Sequence, residues 1–398
     1  MIWRRNIKCS TCNTSHTLRI SLGNQSLQEH SFFCAQCKQR IKIALHLDFE
    51  KIEGELKYIE NCEESNVEGS IVNLDPLYVF SEEEVNQDSV FTGMKQSYDI
   101  ISKRLREIPH KDKDLHKLLL TEVPELLTNR FGVVETWNKV KKAWGLSIEG
   151  QNGLAQEIID DLVPDKNVEI NDLVFRFFTK LMGRNKISLF MNAGQKIAET
   201  ARGNRSEFLK LRMYYRNNLM KEYLHDYLEI FSEFFLGYPE FGQTMVYVSN
   251  DMKYPEGHVA SSTGFEEVKM FYGNAYEVLT SHLLIFACLN NISLGRPFDT
   301  FEDMTLDKYR KTHKAHRARP FDNCAEYKAI VSSLDSILRN ASHHRSMRLT
   351  GSKRHVEYRS GGTGAWHRIS YGEYLYKCNS VAISLMALLA LELLFTSD

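Results

Sequence analysis

Two groups of residues in this sequence have the types and spacing to do chemistry. In the first, Cys9-Ser10-Thr11-Cys12 and Cys34-Ala35-Gln36-Cys37 form two Cys-x2-Cys pairs separated by 21 residues. Two residues between thiols let a tight turn aim both sulfurs at one ion, and four thiolates complete a tetrahedral shell. The expectation is a structural zinc site on Cys9, Cys12, Cys34 and Cys37, closed to catalysis, with no cofactor needed elsewhere. In the second, Arg339-Asn340-Ala341-Ser342-His343-His344 sets a guanidinium, an amide and two imidazoles within two helical turns. A guanidinium fork binds phosphate oxygens, and an imidazole takes or returns a proton near neutral pH. Together they could move protons beside a bound phosphodiester.

These groups need elements to hold them. Tyr327, Ile330, Val331, Leu334, Ile337, Leu338 and Ala341 recur at helical spacing, which predicts an amphipathic helix ending at Arg339–His344. In a straight helix at about 100° per residue, His344 lies about 140° round from Arg339 and His343 only about 40°. Either the helix ends there and the chain turns, or His343 is the working residue. Around the cysteines, Thr17–Leu22 and Arg40–Leu47 alternate like strands, so residues 1–50 are expected to form a small β zinc ribbon. Residues 51–90 are acidic and are expected to be a linker, of which a few residues could add a strand to the ribbon.

Residues 91–240 carry helical patterns, among them Leu115–Leu120, Val133–Trp144 and Val174–Met182. The longest predicted helix runs from about Ser206 to Leu236, its aromatics interleaved with Lys210, Arg212, Arg216 and Lys221. Such interleaving can bind single-stranded nucleic acid, but its periodicity is that of a core stripe with a wet face. Turn formers at 241–264 suggest a boundary. Helices are then expected at Phe265–Leu289, at the Arg339 stripe and at Tyr371–Phe395, forming an antiparallel bundle over residues 262–398. The chain is therefore read as mainly α.

The basic Arg339 stretch resembles the HEPN superfamily of ribonucleases. Members carry an Arg, often followed by Asn, His or Asp, and a His after four to six residues. Arg339-Asn340-Ala341-Ser342-His343-His344 matches the Arg-x4-His form. Arg104 to His110, Arg310 to His316 and Arg348 to His355 also satisfy the spacing. Pro109 would break the first as a helix, Leu349 follows Arg348, and Arg310 sits in a basic run without an apolar stripe. The resemblance covers at most the C-terminal third. It implies a HEPN-like bundle and metal-independent cleavage of RNA by its own 2′-hydroxyl, leaving 2′,3′-cyclic phosphates. It further implies catalytic roles for Arg339, Asn340 and His344 or His343, a homodimer, and a toxin or anti-phage defence setting with a regulatory protein or phage trigger as a further partner. Two alternatives stand beside it. In one, an inactive scaffold pairs Arg339 with a carboxylate such as Glu277 or Asp335 and serves as an adaptor. In the other, the protein transfers a nucleotide group.

Composition agrees with a soluble, multidomain protein. Of 398 residues, 43% are hydrophobic and 25% charged, with a net charge of -1. That near-neutral total hides asymmetry: Lys308–Arg319 holds six Lys/Arg and no acid, and Arg339–Arg368 holds seven against Glu357 alone. A basic C-terminal third suits a polyanion such as RNA. Paired cysteines without an apolar leader indicate a reducing cytoplasm. Val381–Phe395 is apolar but short, so a buried bundle helix is expected and no membrane partner.

Overall fold

The computed structural model describes residues 2–21, 27–48, 53–74, 80–81, 132–163, 168–255, 257–260, 264–322, 324–344, 346–350, 355–361 and 364–396. The chain is mainly α, with a small β region at its N-terminal end. The helix expected at Leu115–Leu120 lies outside the described residues.

In the β region, β1 (Ile2–Cys9) pairs antiparallel with β2 (Ser15–Ser21), and β3 (Leu27–Phe33) with β4 (Arg40–Asp48). Alternate residues Ile7, Leu18, Ile20, Phe32, Ile41, Ile43 and Leu45 point inward and form one core. The expected acidic linker does not begin at residue 51. β5 (Glu53–Glu60) adds to β4, β6 (Cys62–Glu64) to β1, and β7 (Ser70–Leu74) runs parallel to β2. The acids fit an edge strand: on β5, Leu56 and Tyr58 turn toward the core while Glu53, Glu55 and Glu60 face water.

The helices run in the order α1 (Gly132–Ile148), α2 (Asn152–Leu162), α3 (Ile170–Met182), α4 (Arg184–Gly203), α5 (Arg205–Asn218), α6 (Met220–Leu236) and α7 (Tyr238–Ser249). After β8 (Phe80–Ser81) pairs with β9 (His258–Val259), the chain continues through α8 (Phe265–Val268), α9 (Phe271–Ser293), α10 (Leu306–Lys311), α11 (Ala325–Val331) and α12 (Ser336–His343). A three-stranded meander, β10 (Met347–Leu349), β11 (His355–Tyr358) and β12 (His367–Ser370), leads into α13 (Tyr371–Thr396).

One continuous apolar core reaches from Val133 to Phe395. The turn-rich stretch at 241–264 therefore separates no two cores, and the helical parts expected at 91–240 and 262–398 are one packed body where described. The reason is α13, which packs against α3, α4, α6, α7 and α9. At 26 residues it is longer than its apolar run suggested, long and apolar enough to cross a bilayer by length and composition alone. Yet 78% of its most apolar stretch is buried against this chain. Its one inward carboxylate, Glu392, accepts hydrogen bonds of 2.8 Å from both Tyr215 and Tyr227, as a buried acid must.

The long aromatic helix is two, broken at Leu219, and its rings are core: Phe208, Tyr215, Tyr223, Tyr227, Phe231, Phe234 and Phe235 are all buried. Trp137 stacks on Phe235 at 4.7 Å within that core. The helix expected to carry Arg339 is also split. Asp335 caps α12, accepting from the N–H groups of Ile337 and Leu338 at 3.0 and 3.1 Å. Tyr272 of α9 fixes the break, its hydroxyl donating to Ser333 O at 2.7 Å and accepting from Asp335 N at 2.8 Å.

Candidate active site and cysteine cluster

The four cysteine sulfurs Cys9, Cys12, Cys34 and Cys37 all lie within 4.8 Å of one another and could hold a metal ion. The two Cys-x2-Cys turns share one local geometry. Asn13 donates its N–H to Cys9 O at 2.8 Å and Lys38 to Cys34 O at 3.1 Å. The residue after each second cysteine is left-handed, φ 55° at Asn13 and 60° at Lys38. The Cys9–Cys37 and Cys12–Cys34 sulfur separations are 3.6 and 3.5 Å. A tetrahedral ion with metal–sulfur bonds of ~2.3 Å needs sulfurs ~3.8 Å apart, so the cage fits with a small expansion.

Two of these thiols are shifted from the ordinary range in opposite directions. Hydrogen bonds from Thr14 bring Cys12 down to about 6. At Cys37 the Gln39 backbone N–H works downward, but burial and the other three thiols outweigh it and push it up to about 12. Four thiolates this close repel one another unless a positive ion sits between them. His16, fully buried, places Nε2 3.4 Å from Cys34 Sγ.

The second site lies where α12 ends against α9. Arg339 is a quarter exposed. Its Nε donates to Glu277 Oε1 at 2.5 Å, one terminal nitrogen pairs with the same carboxylate, and the other donates to Asn340 Oδ1 at 2.8 Å. A guanidinium has five N–H groups, so one on each terminal nitrogen remains for a ligand. Asn340 Nδ2 in turn donates to Ser360 Oγ at 3.2 Å, tying the helix to the loop after β11. Lys314, from the basic run, reaches Glu277 Oε2 at 2.6 Å and Ser281 Oγ at 2.9 Å. Burial works to raise the Glu277 carboxyl, but Lys314 and Arg339 more than offset it and hold it below the usual carboxylate range. The carboxylate stays ionised and locks two cations side by side.

The two histidines part company. α12 ends at His343, and His344 is its C-cap with φ -93° and ψ 18°. His344 is exposed. His343 turns inward, where its Nε2 is buried without a hydrogen-bond partner among the described residues. It abuts Gly273 of α9: a Cβ there would lie 3.0 Å from His343 Nε2 and 3.0 Å from Ser342 Cβ. The helix ends at His343, which is the first of the two alternatives that the arithmetic of turns left open.

Glu277 entered the sequence reading only as a scaffold partner for Arg339, and it is that partner; Asp335 caps α12 and meets Lys377 at 3.4 Å instead. Lys314 and Ser360 were not singled out, and nothing local marks them. A depression between α4 and α11, lined by Lys196, Glu199 and Glu326 among others, includes no residue of this site. No family model, curated protein or solved structure matches the chain.

Proposed function

We propose that the protein is a metal-independent endoribonuclease of the HEPN type. The observation that carries this reading is the end of α12. There Arg339 keeps two N–H groups uncommitted beside Asn340, an exposed His344 and the neighbouring cation Lys314. In the proposed reaction the 2′-oxygen forms a bond to the adjacent phosphorus and the bond to the 5′-oxygen breaks. One imidazole takes the proton from the 2′-hydroxyl and another returns one to the 5′-oxygen. Arg339 holds the non-bridging oxygens as charge builds on them, Asn340 fixes the guanidinium without adding charge, and Glu277 orients it. The exposed imidazole is His344, so His344 rather than His343 is the proton carrier. Each chain places one such imidazole at the surface, and a homodimer supplies the pair. RNA is required because DNA lacks the nucleophile.

The cysteine cluster we assign to zinc in a structural role, since four thiolates are a zinc donor set with no open position. Reduced cysteines suit the cytoplasm, and the defence setting, with a regulatory protein or phage trigger, comes from the family resemblance alone. A second reading, a non-catalytic adaptor, is favoured by the Arg339–Glu277 pair, which is also what a purely structural arginine makes. Arg339→Lys separates the two. It keeps a cation for Glu277 but loses the fork, so cleavage of a single-stranded RNA falls by about 10²–10³ under the nuclease reading. Under the adaptor reading the wild type cuts nothing. His343→Asn retains cleavage and His344→Asn does not.

A further inference from the structure

The meander β10–β11–β12 has two faces, and its register separates them. Met347 lies opposite Tyr358 and His367, and Leu349 opposite Val356 and Ile369, so these form one face. Val356 and Tyr358 are buried on it. Side chains alternate, so the other face carries Arg348, Glu357 and Arg368 in one cross-strand row. Continuing the ladder one step past Tyr358–His367 brings Arg359 beside Trp366. The Arg359 N–H bonds Ser346 O at 3.1 Å, which keeps that step in register.

The outer face is thus basic and aromatic. Trp366 is 49% exposed. The guanidiniums of Arg348 and Arg359 each stand 4.8 Å from its ring centre, as cations attracted to a π-face do. Glu357 neutralises Arg348 through bonds of 3.1 and 2.9 Å. Arg359 has no such partner among the described residues: its Nε is buried and makes no hydrogen bond. Among the described residues Arg368 meets only the His355 ring, at 3.1 Å. An exposed indole beside arginines, with two guanidiniums lacking a carboxylate among the described residues, fits a stacked base and its phosphates.

The end of the meander, one residue beyond Arg359, is tied to the proposed catalytic helix. Ser360, the residue after Arg359, accepts the hydrogen bond from Asn340, and Ser346 contacts both His344 O and Gly361 O. We propose that the outer face of the meander is a stacking platform for single-stranded RNA, on which Trp366 receives one base and Arg359 an adjoining phosphate. The platform holds the strand next to Arg339. This rests on the nuclease reading for its choice of RNA, while its own evidence is the face itself.

The test uses the full chain with Arg339→Lys, whose residual cleavage is too slow to consume the ligand during the titration, titrated with a labelled 12-nucleotide oligouridylate at fixed salt. Trp366 is the reporter, because Trp137 and Trp144 are buried and Trp3 lies in the β region under Arg5. Binding quenches tryptophan emission. Trp366→Ala weakens binding about tenfold and removes the quench, and Trp366→Phe restores most of the affinity. Arg359→Gln flattens the salt dependence by about one ion. A duplex of equal length competes poorly, its bases being already stacked. Unchanged affinity in Trp366→Ala, or no binding of the single strand by the parent, overturns the platform. If the binding results hold while the wild type cuts nothing, the platform stands and the nuclease reading falls. If the wild type cuts and Trp366→Ala cuts with an unaltered KM, the nuclease reading stands and the platform falls.

Discussion

The cysteine cluster and the end of α12 are built on opposite plans. The cluster draws its ligands from two local turns of the same shape, faces inward, and closes on itself. The α12 site draws Arg339 and Asn340 from one helix, Glu277 from another, Lys314 from a basic loop and Ser360 from a meander. It opens to solvent at His344. A closed shell of like ligands suits holding an ion for stability. An open, mixed group of cation, amide and imidazole suits a transient anion. The two regions have separate cores, so their failures should be separable as well.

The largest expected effect is on the closed site. Cys34→Ser removes a buried thiol of the cluster, and a structural metal held there would be worth on the order of 10 kcal/mol of folding free energy. Hydrogen exchange should show residues 2–74 unprotected while α13 stays protected. Loss of protection in α13 as well would break the comparison by making the two regions one folding unit. Next, Arg339→Lys should cut turnover by about 10²–10³ and move the melting temperature little, the reverse pattern. A large fall in stability with activity intact would return Arg339 to a scaffold role.

Gly273→Ala sharpens the comparison, because it acts where packing and site meet. The added methyl presses on His343 and Ser342, so stability should fall by about 1–3 kcal/mol and cleavage with it. An unperturbed melt would mean that α9 and α12 can move apart freely. The smallest effect is that of pH. The Glu277 carboxyl is held below its ordinary 4.5, so its ion pairs stabilise the fold above that pH. That contribution is lost as pH falls through the depressed value. Glu277→Gln should therefore remove part of the acid dependence of melting below about pH 4.5, and an unchanged acid limb would show the pair to be energetically silent.

How much of this was legible in the sequence follows from the same contrast. The cysteine cage was legible because its geometry is local: two residues between ligands determine it. The buried sides of the central helices were legible for the same reason, since periodicity reports which side is buried, but the breaks at Leu219 and before Phe271 were not. The split before α12 had a visible cap in Asp335, but the apolar stripe ran in phase across it, and Tyr272 decides the break from 63 residues away. Glu277 lies 62 residues from Arg339, so its choice over Asp335 was a matter of tertiary packing. The meander left no mark in the sequence because β11 and β12 are only four residues each, too short for alternation to speak. An added strand after residue 50 was legible as a possibility, but the acidic composition of a linker masked that three follow, β5, β6 and β7.

The central claim is that a guanidinium and an imidazole at the end of α12 cut RNA without a catalytic metal. It is tested most directly by incubating the wild type with single-stranded RNA in EDTA, at a dose shown by metal analysis to leave the cysteine-bound ion in place, and identifying the fragment ends. The account predicts undiminished cleavage to 2′,3′-cyclic phosphate and 5′-hydroxyl ends, absent from Arg339→Lys and His344→Asn. Cleavage that vanishes with free divalent metal, fragments ending in 5′-phosphate, or equal cutting by the two variants would contradict it.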